Sequence, residues 1–422
     1  MPTPHLRLAG KRLFKLLSPN GETVSGRKIM KLLVATANRV IIGGVETYLT
    51  ALLPLLQKKG YTVGLVTAGA PIPGQPAIGD ACPGIPSWIA SSPSEVLAAT
   101  RAWAPDVVYS HRLPDPQADA ALMDAYPAIA YLHDYGASCI SGRKSFAFPD
   151  WKPCHRRLGP GCLGFYFPRR CGGLNPVTAL KFYGTALERQ RRLPRYRSVL
   201  VASRHMAAEA VRHGVSPEKC SVNPYFPPDL VPDSSPPVAR PPSGRIIFIG
   251  RITAAKGWHL LPRVISQASR LLDRPLKLVV AGDGPDRAAF EAEAERCGIA
   301  SEFLGWIGAR ERLEQMRAAD LLAVPSVWPE PFGMVGIEAG CVGLPSVAFP
   351  FGGIPDWLVP GVSGELAGGE RPEPGEFATA VARAIANESH WQSLRVGAWR
   401  KAQEFTAEAH LERLALAFQS AR

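Results

Sequence analysis

The sequence predicts an α/β protein built from two open, parallel-sheet domains in series. Three observations carry this. Short apolar runs alternate with helical patterns in both halves of the 422-residue chain. A single proline-rich stretch interrupts the alternation. Apolar residues make up 46% of the chain, ample for two cores at a length where one core becomes unfavourable.

In the first half, KLLVAT (31–36) reads as a strand and is followed by Gly43-Gly44. Val45, Leu49, Leu52, Leu53 and Leu56 then recur at helical spacing until Gly60 stops the helix. Further strand-like runs are TVGLVT (62–67), DVVY (106–109), AIAYL (128–132) and SVLVA (198–202). Apolar strands separated by amphipathic helices predict a parallel sheet covered on both faces, within a domain spanning 30–226. Residues 227–242 hold seven prolines in sixteen positions, which suits neither helix nor central strand, and 227–244 read as a linker. The alternation resumes with RIIFIG (245–250), LKLVVAG (276–282), SEFLG, DLLAVPS (320–326) and LPSVAF (344–349), giving a second domain over 245–390. Residues 391–422 read as helices anchored by Trp391, Trp399 and Phe405 and expected to pack back toward the first domain. Two such domains leave a cleft at the carboxyl ends of their strands, where open sheets bind ligands.

No run approaches the roughly eighteen apolar residues of a membrane span, and no signal peptide is evident, so a cytoplasmic protein with reduced cysteines is expected. Residues 1–29 read as a basic extension, and Met30 would itself make a natural beginning. Within the extension, LRLAGKRLFKLL (6–17) mixes Leu and Phe with Arg and Lys as an interfacial membrane helix would; disorder is the other reading. Net charge is +12, and thirteen Lys/Arg against Asp150 and Glu188 between Arg143 and Arg197 give a local +11. Such concentration implies an anionic partner, unless it is simply a solvated surface.

The sharpest constellation is EPFGMVGIE (330–338), which sets Glu330 before a Pro-Phe-Gly turn and Glu338 eight positions on, inside the next helix. A helix start has free amides that favour an anion such as a diphosphate, and Glu338 can accept from a ribose diol. Upstream, FIGRITAAKGWHLL (248–261) places Arg251 past a strand and Lys256 at a helix start, two cations able to neutralise a leaving diphosphate. No convincing Asp-x-Asp metal site appears, so no cofactor is expected to be required for catalysis.

These segments, with VVAGDGP, AADLLAVPS, EPFGMVGIEAGCVGLPSVAF and GGIPD, resemble the large family of retaining GT-B glycosyltransferases that includes bacterial mannosyl- and glucosyltransferases. The likeness is close over 245–368 and looser before it, through GGVETYLTALLPLLQKKGY and His133-Asp134. It implies the GT-B fold, two Rossmann-like domains with parallel sheets facing a cleft, the first on the acceptor side. It also implies that Arg251 and Lys256 bind the diphosphate and Glu338 the ribose. Glu330 would contact the donor sugar, with the amides of Phe332, Gly333, Met334 and Val335 around phosphate and sugar. Gly43 and Gly44 would close on the diphosphate from the opposite domain, and His133 would meet the sugar hydroxyls. Asp356 of GGIPD stands where many relatives have Glu, a position expected to be structural or peripheral. The final helix would cross back to the first domain.

The implied activity is transfer of a hexose-type sugar from a nucleotide sugar to a glycan or lipid-linked acceptor, in cell-surface polysaccharide, lipopolysaccharide or glycolipid synthesis. Retention can proceed through a covalent intermediate on Glu330 or by front-face attack, in which the leaving diphosphate takes the acceptor proton; Glu330 and His133 would then hold the sugar.

The basic insert, 134–197, also carries Cys139, Cys154, Cys162 and Cys171. Four thiolates could hold a structural zinc, although the spacing lacks C-x2-C pairs; buried free thiols or a redox-sensitive loop are the other readings. Cys82, Cys220, Cys297 and Cys341 read as core residues. The insert lies where an acceptor would enter, which suits an acidic or phosphorylated acceptor or an anionic membrane at the inner face. A nucleic-acid-binding protein finds support in charge alone and is not expected; a dinucleotide oxidoreductase lacks its glycine turn. A sugar-nucleotide epimerase or phosphorylase of the same fold is the nearer rival, and a basic membrane-binding protein the non-enzyme one.

Overall fold

The computed structural model describes residues 29–422, so the expectations for the N-terminal extension and its 6–17 segment lie outside the described residues. The first domain contains β1 (Lys31–Thr36), β2 (Thr62–Thr67), β3 (Ser87–Ile89), β4 (Val107–Ser110) and β5 (Ala128–Leu132). A small hairpin, β6 (Ser145–Phe146) with β7 (Lys152–Pro153), lies in the insert, and β8 (Ser198–Val201) and β9 (Cys220–Val222) complete the domain's main sheet. Its seven strands run in the order β3-β2-β1-β4-β5-β8-β9, all parallel. The second domain contains β10 (Arg245–Ile249), β11 (Lys277–Ala281), β12 (Ala300–Gly305), β13 (Leu321–Val324), β14 (Ser346–Ala348) and β15 (Gly364–Leu366). They form a parallel sheet in the order β12-β11-β10-β13-β14-β15. The α/β reading therefore holds in both halves. Strands such as β1 and β13 are apolar on both faces because helices cover both.

Each sheet has one point where strand order reverses, between β1 and β4 and between β10 and β13. A crevice opens at the carboxyl ends of such a pair, and the four loops leaving these strands carry the residues that matter below.

The linker is docked rather than free. Buried Asp320 accepts from the Arg240 guanidinium at 2.7 Å and from the amides of Gly244 and Arg245 at 2.5 and 3.0 Å. Arg395 donates to the Val238 carbonyl at 2.7 Å. The C-terminal helices divide their allegiance. Helix Glu388–Ala402 packs on the second domain, with fully buried Trp391 donating to the Asp320 carbonyl at 2.8 Å. Only helix Ala407–Ala421 crosses back: the His410 ring bonds the Tyr48 hydroxyl at 2.7 Å, and Phe418 packs edge-on against Tyr61 and Tyr109. One apolar core consequently runs through both domains, joined by Tyr225, Phe332 and Phe405, whose successive rings lie 5.7 Å apart.

Candidate functional site

Glu330 sits where the two domains meet. It follows β13, and its backbone is gripped by Gly352 and Gly353: the Gly353 amide donates to the Glu330 carbonyl at 2.7 Å. A Cβ on Gly352 (φ +72°) would lie 2.2 Å from that carbonyl oxygen, so the first two residues of GGIPD are glycines for lack of room. From the first domain, the Tyr135 hydroxyl donates to the Pro329 carbonyl at 2.9 Å and Ser203 to the Pro331 carbonyl at 2.6 Å. Asp356 is also interdomain. It accepts from the Arg204 amide at 2.7 Å and guanidinium at 2.9 Å, giving it a structural partner in the first domain.

The Glu330 side chain is buried, and three donors converge on its Oε1: Lys256 Nζ at 2.7 Å, Ser326 Oγ at 2.5 Å and Trp328 Nε1 at 3.0 Å. Lys256 comes from the turn after β10 and the carboxylate from the loop after β13, so the sheet's switch point brings them together. Arg251, on the same turn as Lys256, is exposed and forms no ion pair among the described residues. Downstream, Gly333 (φ +88°) opens helix Met334–Cys341, leaving the amides around Phe332, Gly333, Met334 and Val335 without helical partners. Glu338 lies inside that helix, buried, 3.9 Å from Arg312 Nε. Burial pushes its carboxyl up, opposed by Arg312.

The first domain faces this region with its own switch-point loops. Gly43 and Gly44 begin helix Gly44–Lys58, and a Cβ on Gly44 would touch the Met334 side chain at 3.5 Å. The glycine loop therefore lies directly against the helix start across the cleft. His133, after β5, is placed differently from the sequence expectation. Its Nε2 bonds His111 Nδ1 at 2.6 Å and its Nδ1 bonds the Tyr225 hydroxyl, within stacked Tyr131, His111 and Tyr225 rings. Burial holds His133 down to about 3, so the ring is neutral, with both nitrogens occupied. In this arrangement it offers no nitrogen to a sugar hydroxyl; it braces Tyr225, which packs on Phe332.

Beside Glu330 opens a cavity of about 540 Å³. The insert lines it with Lys152 and His155, the following helix with His205, and the second domain with Pro329, Phe351 and Glu370. The Nε2 of His205 is buried without a partner.

Cys139, Cys154, Cys162 and Cys171 line one small apolar cavity in the insert. Burial, then the neighbouring thiols, pushes Cys171 up to about 12. Cys162 and Cys171 donate to the Arg157 and Phe165 carbonyls at 3.6 and 3.5 Å. Among the described residues no group of three or more His, Cys, Asp or Glu is arranged to hold a metal. Of the other cysteines, Cys82 and Cys341 are buried, while Cys220 and Cys297 are half-buried.

Residues 236–400 match the family model described as glycosyl transferases group 1, and residues 42–225 match that of glycosyltransferase family 4. The second domain belongs to the group 1 glycosyltransferases and the first to glycosyltransferase family 4. D-inositol 3-phosphate glycosyltransferase 2 of Catenulispora acidiphila is 36% identical over 194 residues, 42% of this chain and 45% of that protein. The D-inositol 3-phosphate glycosyltransferase of Corynebacterium diphtheriae is 34% identical over 175 residues, 40% of each chain. The match thus spans less than half the length of these curated relatives. Among solved structures, Anabaena HepE in complex with UDP and glucose superposes with a TM-score of 0.64 at 19% identity, covering 93% of this chain and all of that one. Sucrose-phosphate synthase from Thermosynechococcus elongatus gives 0.67 at 17% identity, covering 92% and 98%. These likenesses establish the fold as GT-B.

Proposed function

We propose that this glycosyltransferase moves a hexose from a nucleoside diphosphate sugar to an anionic acceptor, with retention of configuration and without a catalytic metal. The observation that carries the reading is the Lys256–Glu330 pair, 2.7 Å apart at the interdomain crevice. It lies between an exposed Arg251, a glycine-led helix start and the Gly43-Gly44 loop.

A diphosphate seated on the amides around Met334 would be neutralised by Arg251, Lys256 and the helix start, Lys256 being held on Glu330 before the substrate arrives. Lysine has three donors, so Lys256 can keep Glu330 while it binds a phosphate oxygen. With Glu330 Oε1 held by Lys256, Ser326 and Trp328, the other oxygen is left for the sugar. A carboxylate so engaged is a poor nucleophile, which favours front-face attack over a covalent intermediate. Glu338, kept beside Arg312, would take the ribose hydroxyls. A uridine base is the first to try, since UDP is bound in the Anabaena structure. The acceptor would occupy the cavity beside Glu330, where Lys152, His155 and His205 suit a phosphate or carboxylate. The inositol phosphate relatives and a phosphate-bearing surface glycan or glycolipid both fit that chemistry. Any zinc on the four cysteines would be structural, and metal analysis of the purified protein tests for it.

The decisive variant is Lys256→Ala. UDP release from UDP-glucose, measured with and without inositol phosphate as trial acceptor, should fall by about two to three orders of magnitude. UDP binding, followed by thermal shift, should weaken far less. A change confined to the donor KM would sink the proposed role; release that ignores every acceptor would favour a hydrolase, and conversion of the nucleotide sugar to its epimer without net UDP release would favour an epimerase.

A further inference from the structure

We propose that the outer face of the insert docks on an anionic lipid bilayer. The idea goes beyond the transfer reading and stands on a different observation. Phe148, Phe165, Phe167, Leu174, Val177 and Leu180 are all exposed, Leu174 and Val177 by 78% and 73%. A lone exposed apolar residue means little, whereas a run of them within thirty-five residues marks a contact surface.

The aromatic residues are linked to one another, and helix Gly161–Tyr166, which carries Phe165, packs on helix Pro176–Arg192, which carries Val177 and Leu180. The Phe148 amide donates to the Arg169 carbonyl at 3.2 Å, and Arg170 lies 5.0 Å above the Phe148 ring. Arg156 lies 4.3 Å above the Phe165 ring, and Tyr166 packs edge-on against Phe167. Helix Pro176–Arg192 then buries Ala179 and Ala186 inward and turns Val177, Leu180 and Lys181 outward. These sit three and four positions apart on one stripe, so the first two turns of this helix expose apolar side chains beside a lysine where a solvated helix would be polar.

Charge selects the partner. Between 143 and 182 there are eight Lys/Arg and one acid, Asp150, which is already paired with Arg371 of the second domain at 3.3 Å. Buried Lys144 is spent on Glu209, leaving seven cations interleaved with aromatic and aliphatic side chains. Aromatics with arginines at the rim match the headgroup layer, where apolar rings enter and guanidinium groups meet lipid phosphates. The surface also adjoins the cavity beside Glu330: Phe146, Lys152 and Pro153 of the hairpin line that cavity while Phe148 of its turn points out. Docking there would hold the acceptor side of the cleft at the membrane surface.

The test is cosedimentation of the full chain with phosphatidylcholine vesicles, and with vesicles also containing phosphatidylglycerol, at low and high salt. Wild type should partition onto the anionic vesicles at least about tenfold better and lose that preference in high salt. The double variant Val177→Asp/Leu180→Asp should bind them at least about tenfold more weakly, with an unchanged thermal midpoint. Should it unfold, Val177→Ser/Leu180→Ser gives the same comparison. The proposal is overturned if wild type ignores anionic vesicles, or if the folded variant binds like wild type, which would place binding elsewhere, such as the basic residues 1–28. It is equally overturned if the patch instead mediates self-association, seen in ultracentrifugation and lost in the variant. UDP release from soluble substrates does not enter the readout, so failure here leaves the transfer proposal standing.

Discussion

Gly257 shows how little freedom the donor site has. It follows Lys256 with φ +74°, and a Cβ there would lie 1.8 Å from the Pro325 carbonyl oxygen. The turn bearing Lys256 is thus pressed against the end of the strand that leads to Glu330, which keeps the 2.7 Å pair short. Gly257→Ala should force the two apart, costing about 1–3 kcal/mol in chemical denaturation and lowering UDP release as well. Wild-type stability together with wild-type turnover would refute this. At the residue scale, Arg251, Lys256, Glu330 and Glu338 were legible as candidates because charged residues at helix starts have few cheaper explanations. Ser326 and Trp328 were not. Each donates to Glu330 from four and two residues upstream, but a serine and a tryptophan after an apolar strand carry no signal of their own. His133 was legible as a candidate, yet its two occupied nitrogens depend on His111 and Tyr225, far apart in sequence.

The insert is the element on which sequence and structure diverge most. Its charge is plain in the sequence, but composition treats every lysine alike. Lys144 is in fact buried, paired with Glu209 at 2.8 Å and donating to the Arg156 carbonyl at 2.6 Å, which ties the insert to helix Arg204–Arg212. Lys144→Ala should leave Glu209 with only its pair to Arg212 at 2.6 Å, at a cost of about 1–3 kcal/mol. Equilibrium denaturation reads it, and a change below about 1 kcal/mol would mean the pair behaves as a surface one. The edge strands β3, β9 and β15, three residues each, were invisible for a related reason. Such short strands have no periodicity to read and exist because a neighbouring strand offers its edge.

Across the whole molecule, buried histidines, one of them on the crossing helix Ala407–Ala421, make stability depend on pH. His410 is held down to about 4 and His133 to about 3, and His111 well below its ordinary 6.5, in each case chiefly by burial. Unfolding releases these rings to take up protons that the fold refuses. Their contribution is therefore complete above about pH 6.5 and is lost as pH falls toward about 4. Asp119, raised by burial to about 6, and Glu338, also raised by burial, act in the opposite sense, while His205, His213 and His259, each lowered chiefly by burial, add to the histidine effect. The denaturation midpoint should fall between about pH 7 and about pH 5, and a flat or rising midpoint would contradict this.

By itself the sequence determined the fold class and named the residues proposed for the donor side. Strand and helix periodicity is local, and a helix start flanked by carboxylates and cations is written in consecutive residues. Only the tertiary structure decided how the halves engage: the clamp of Tyr135 and Ser203 on the Glu330 segment, the linker laid on Asp320, and the apolar, basic face of the insert. Each depends on contacts between residues distant in the chain, and on which side chains the packing buries. Composition and spacing contain neither.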